Sequence, residues 1–326
     1  YEIVIGDWSS DVCSSDLSLN YYTILTDEEP ASVYANANQR SFRIAEPLQI
    51  NMEKDSLHMR FYSPVGIKEV TVMAKSPTMD EYVEFVYIDN IPAFADIKTS
   101  IKVLKKGVYR TESGKVQQFS AEEMKPASLS FKIACKDPYW TKISRIKAKW
   151  YIKFVLNGGD PVTGVPNKNW RGIRPVHCRE AVALFLNIGY MCTLEKFQQR
   201  VSTFQGIFLD NNRYPVDTST LISRLENLSG FDIGLIYSGN GVSGLGGGRT
   251  WGVYQKSFLY HYENSGGCCS TIFHELGHCL GYSHNSTMTY GQWASGCADV
   301  FYKNNIKDFP VNSHTILKSR SNPNIY

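Results

Sequence analysis

From residue 18 to about residue 156 the chain alternates apolar or aromatic with polar residues at period two, clearest over 57–62, 69–74, 82–88, 128–134 and 149–156. Such alternation predicts strands with one face buried. Pro64, Gly66, Pro77, Asn90, Pro92, Gly107, Gly114 and Pro138 punctuate these stretches. Several short strands separated by turn residues have the layout of a β-sandwich. A short helix is expected over 120–124, where Ser120 can cap and Glu122 and Glu123 suit a helix start.

Residues 157–169 (NGGDPVTGVPNKN) concentrate Gly, Pro, Asn and Asp and read as a domain boundary. The period then changes. Residues 176–188 predict an apolar helix, and Leu194, Phe197, Val201 and Phe204 a second one with Thr193 as cap. Leu221, Ile222, Leu225 and Leu228 mark a third, stopped by Gly230. Strands are expected over 232–237, 250–254 and 258–262, with a glycine-rich loop at 239–248 between the first two. The chain is therefore expected to be α+β, a β-sandwich-like domain over 18–158 followed by a mixed domain over 159–326.

Composition sets limits rather than a function. The 326 residues are 43% hydrophobic and 20% charged, which suits a globular chain and disfavours disorder. No apolar run approaches the ~20 residues of a membrane-spanning helix. The first seventeen residues stand apart: 7–17 read DWSSDVCSSDL and resemble a translated sequencing adapter. Residues 1–17 are accordingly set outside the fold. Without their four acids (Glu2, Asp7, Asp11, Asp16) the net charge rises from +3 to +7. On this reading the natural start is missing, which leaves room for a signal or a lipid anchor there.

The chemistry concentrates at 274–284, which read HELGHCLGYSH. His274 and His278 are one helical turn apart, so both reach a single metal ion from one helix face. Glu275 is placed for its carboxylate to face a metal-bound water. Gly281 suits the backbone angles that end a helix and turn the chain back, presenting His284 as a third ligand. Three protein nitrogens leave a fourth tetrahedral position open, the pattern of a catalytic zinc rather than a structural one. Phe273, Leu276 and Leu280 give this helix an apolar face to bury.

The string resembles the metzincin pattern H-E-x-x-H-x-x-G-x-x-H followed by a Met-turn. The resemblance implies a zinc endopeptidase with His274, His278 and His284 as ligands of one zinc per chain, Glu275 as general base and Met288 in the Met-turn. Residues 286–290 (STMTY) look like the S-x-M-x-Y turn in which the tyrosine, here Tyr290, is a switchable ligand. One departure is that only three residues separate His284 from Met288, fewer than in most metzincins. With a β-rich domain in front, the segment also resembles bacterial zinc-dependent metalloproteinase lipoproteins. The family further implies a substrate-binding edge strand before the helix. It is expected over 245–253, with Leu245, Gly246, Gly247 and Gly248 letting a peptide backbone approach; a plain flexible loop is the alternative. A phosphate-binding reading of these glycines fails, because no Lys-Ser/Thr ending follows and no helix opens there.

Beyond Cys13, the cysteines are 135, 178, 192, 268, 269, 279 and 297. They are expected to form disulfides of an exported protein, Cys178 with Cys192 and Cys268 or Cys269 with Cys297; the alternative is a set of reduced thiols. Fourteen Lys or Arg against four acids over 98–153 read as solvated strand faces, with no nucleic-acid signature beside them. The resulting expectation is a secreted or cell-surface zinc endopeptidase acting on protein or peptide, with no nucleic acid partner. The competing class is a binding or adhesion protein whose zinc domain is inactive.

Overall fold

The computed structural model describes residues 20–53, 56–100, 108–118, 128–155, 157–262 and 268–312. The expected helix at 120–124 and the segment 1–17 lie outside them. The chain is mixed α+β and divides into two compact units. One holds Leu48–Thr141 with the N-terminal strand; the other holds Leu25–Pro47 and the residues from Lys142 on.

In the first unit, β1 (Asn20–Thr23) pairs with β7 (Ala95–Ser100), which pairs with β4 (Ser56–Phe61), which pairs with β3 (Leu48–Glu53). A second antiparallel sheet has the order β10 (Ser130–Cys135), β5 (Ile67–Lys75), β6 (Val83–Ile91). A short ribbon of β8 (Val108–Arg110) and β9 (Val116–Gln118) completes the unit. Alternation decides the faces: Leu57, Met59 and Phe61 of β4 and Val70, Val72 and Ala74 of β5 are fully buried, each such side chain contributing about 1.5–3 kcal/mol if large. Polar neighbours pair at the surface. Lys98 meets Glu53 at 2.6 Å and Lys132 meets Glu112, consistent with solvated faces for this part of the basic stretch.

The second unit is built on one mixed sheet. Its order is β14 (Gly244–Gly247), β15 (Thr250–Tyr254), β13 (Gly230–Ile236), β11 (Tyr151–Phe154), β2 (Ser41–Arg43), with β12 (Trp170–Arg171) also on β13. β11, β13 and β15 run parallel, and β14 and β2 are antiparallel edges. The helix Pro175–Cys192 is buried along nearly its whole length. Its Phe185 ring meets Trp150, Phe231 and Trp251 at centroid distances of 6.1, 4.9 and 5.0 Å. No helix among the described residues is long and apolar enough to cross a membrane.

Several expectations are corrected. The boundary expected at 158/159 falls inside the second unit, because the strand expected at 149–156 is β11 of its sheet and not part of a sandwich. Residues 258–262 are not a strand; Gln255–Tyr260 is a helix. Thr193 does not cap the following helix: its hydroxyl donates to Tyr190 O at 2.7 Å, closing the preceding one. Gly230 opens β13 at φ +125°, where a Cβ would lie 2.1 Å from Tyr151 O. Among the described residues the expected disulfides are absent. Cys178, Cys192 and Cys297 are thiols; the first two sit at opposite ends of one helix, about 21 Å apart at 1.5 Å per residue, far beyond bridging reach.

Candidate metal centre

The site helix, Cys268–Cys279, carries His274, Glu275 and His278. Ile272, Phe273 and Leu276 are buried on its inner face. Two buried indoles hold it from opposite directions in sequence: Trp251 Nε1 donates to Ile272 O at 3.4 Å and Trp293 Nε1 to Phe273 O at 3.2 Å. The helix ends in a Schellman motif. Gly281, at φ +91°, donates to His278 O at 2.9 Å, and Tyr282 N donates to Gly277 O at 3.1 Å. This reversal brings Tyr282 O within 2.7 Å of His278 Nδ1 and sends the chain back towards His284.

The three imidazoles converge. Their Nε2 atoms are 3.1 Å (His274–His278), 3.0 Å (His278–His284) and 3.3 Å (His274–His284) apart, and together they form a group able to hold a metal ion. Donors at ~2.0–2.1 Å from a tetrahedral zinc lie about 3.3 Å from one another, so the spacing fits. Tautomers fit too. His274 donates its Nδ1 proton to Thr289 O and His278 to Tyr282 O, so each neutral ring turns a lone pair towards the other. Two lone pairs at 3.1 Å repel, and a cation between them satisfies both. Burial, with the neighbouring histidines contributing, pushes His274 down to about 4 and also lowers His278, which favours the neutral imidazole that a metal ion requires.

Glu275 is buried, with Oε1 3.9 Å from His274 Nε2. Burial pushes its carboxyl up to about 7, the range in which a carboxylate exchanges protons readily near neutrality. β14 crosses directly over it. A Cβ on Gly244 would stand 2.2 Å from Glu275 Oε1, so a side chain there would displace the carboxylate. β14 is one of the two edges of the six-stranded sheet among the described residues.

Residues 245–253 are thus not one strand. Leu245, Gly246 and Gly247 lie in β14, whereas Gly248 (φ +56°) turns the chain into β15, with Gly246 opposite Trp251. Met288 is fully buried, and its carbonyl lies so close to the helix that a Cβ on Gly277 would meet it at 2.3 Å. Tyr290 is exposed, its ring 4.5 Å from that of His274 and 5.1 Å from that of His284. The short link between His284 and Met288 still brings the tyrosine against two of the three histidines.

Other contributors escaped the sequence reading. Asn211 receives Ser283 N–H at 2.6 Å and donates to Gly281 O at 3.1 Å, bracing the turn before His284. Thr287 Oγ1 accepts from Leu209 N at 2.7 Å. Nothing in a lone Asn seventy residues away signals this role. Gly277, inside the motif, carries the sequence signal for a close approach to the helix, made by Met288 O. The chain matches no family model, no curated protein and no solved structure.

Proposed function

We propose that this chain is a zinc-dependent endopeptidase of the metzincin kind, with one zinc held by His274, His278 and His284. The observation that carries the reading is the convergence of three Nε2 atoms within 3.3 Å of one another beside the buried Glu275 carboxylate. Zinc, when bound, supplies Lewis acidity that polarises a carbonyl and acidifies water towards a pKa of ~7. Glu275 is the base: its carboxylate takes a proton from the attacking water and delivers it to the leaving amine. β14 offers the backbone groups of a sheet edge, to which an extended peptide adds as a further strand. The packing of the Tyr290 ring 4.5 Å from that of His274 supports a role for its hydroxyl as a donor to the developing oxyanion. The proposed setting, secreted or at a cell surface, rests on the sequence resemblance alone.

Elemental analysis and cleavage of a generic peptide library test the reading together. We expect one zinc per chain, most of it lost in His278→Ala. Glu275→Gln should keep the metal and lose cleavage by several orders of magnitude, because it removes the base and leaves the ligands. Zinc binding without cleavage by the wild type would instead favour the binding or adhesion class.

A further inference from the structure

Beside the third histidine lies an open pocket lined by Asn211, Asn212, Arg213, His284 and Asn285. Its walls are polar and its one charged side chain is cationic. We infer that this pocket reads a carboxylate of the peptide, with Arg213 as the specificity-determining residue; the inference rests on the peptidase reading of the same site.

The loop that carries Arg213 is held rigidly. Asp210 N donates to Tyr214 O at 2.8 Å and Arg213 N to Asp210 O at 3.1 Å. Asp210 Oδ1 accepts from Asn212 N at 2.8 Å and Tyr214 N at 2.9 Å. The nearest acid in sequence is therefore turned into its own loop. Arg213 itself sits at φ +68°, a conformation costly for a long side chain, which persists only where the surroundings impose it. Here they do. Asn211 is bonded to Gly281 and Ser283, and Leu209 is paired with Thr287, so the loop and the segment bearing His284 move as one.

This geometry fixes the guanidinium at the pocket wall. Arg213 Nη1 donates to Asn285 O at 3.0 Å, which spends one of its five N–H donors and leaves the others available. No carboxylate forms an ion pair with Arg213 among the described residues. A planar cation with open donors, backed by the amides of Asn211 and Asn212, suits a carboxylate and has no counterpart for a cationic or apolar group. The carboxylate has two possible sources in a peptide, an Asp or Glu side chain or the free C-terminus.

Two peptide series separate these sources. In one, Asp or Glu replaces Asn or Gln at each position of an amidated peptide; in the other, neutral peptides carry a free or an amidated C-terminus. Cleavage by the wild type gives kcat/KM ratios, and anisotropy with the non-cleaving Glu275→Gln protein gives Kd ratios. We expect the carboxylate-bearing member of one series to be preferred about tenfold or more, as for a charge-assisted hydrogen bond. Arg213→Asn, which tolerates a positive φ, should bring that ratio towards one, and Arg213→Lys should keep part of it. A purely structural Arg213 would lower both members equally and leave the ratio unchanged, overturning the inference. So would equal binding and cleavage of all members, which leaves the peptidase reading intact. Absence of both cleavage and binding would remove the peptidase reading, and the inference with it.

Discussion

Gly246 and Glu275 touch backbone to backbone: a Cβ on Gly246 would lie 2.4 Å from the Glu275 carbonyl oxygen and 2.9 Å from its Cα. The edge strand therefore rests on the site helix at the residue that bears the proposed base. The adjoining contact differs in kind, since a Cβ on Gly244 would meet the Glu275 carboxylate, the movable end of the side chain. Gly246→Ala should destabilise the protein by about 1–3 kcal/mol, because strand or helix must shift. Gly244→Ala should melt close to the wild type but lower kcat by about tenfold or more, since small misplacements of a catalytic group are costly. Melting curves and kcat on one peptide check both; equal effects from the two variants would reject the distinction.

Gly277 does for the other face what Gly246 does for the strand. Its missing Cβ makes room for Met288 O, and the next carbonyl, Thr289 O, accepts the His274 Nδ1 proton. Gly277→Ala should push this turn away and loosen the orientation of His274. Metal affinity should fall about 10–100-fold, as for other groups that orient a ligand. Competition with a chromophoric chelator measures it, and an unchanged affinity would detach Met288 from the centre.

Tyr290→Phe keeps the ring that packs on His274 and His284 and removes only the hydroxyl. If that hydroxyl donates in the transition state, kcat should drop by about 10²–10³ with zinc content and KM nearly unchanged. A neutral substitution would reduce Tyr290 to a packing role.

Acid should weaken the second unit through His177. Burial first, then Arg171, Arg174 and Arg179, hold this imidazole down at about 3, whereas in the unfolded chain it titrates near 6.5. Between those values the unfolded state binds a proton that the folded state refuses, so stability falls as pH drops from about 6.5 towards 3. The slope cannot exceed about 1.4 kcal/mol per pH unit for one group. The Arg174 backbone N–H donates to His177 Nδ1 at 3.1 Å, and glutamine can take over this acceptor. His177→Gln should therefore melt with a flatter pH dependence between 6.5 and 4 than the wild type. Parallel curves would show that His177 does not carry the effect.

Local order was legible in the sequence. The four-residue spacing of His274 and His278 and the stop at Gly281 follow from helix geometry, which is set by bonds between residues a turn apart. The strands β4, β5 and β6 follow from alternation, because successive side chains point to opposite faces. The same stretches give no partner. β11 reads like the strands before it, yet it pairs in parallel with β13 across the intervening loop and helices, so the expected boundary was misplaced. β14 and β15 read as one strand until Gly248 turns the chain. The depth at which Glu275 lies under β14, the carbonyls that set the tautomers of His274 and His278, and the bracing of His284 by Asn211 all depend on close approach between segments. Period and composition record which face a residue is on; which segment lies against that face is decided by packing across the whole unit, and only the tertiary structure holds that answer.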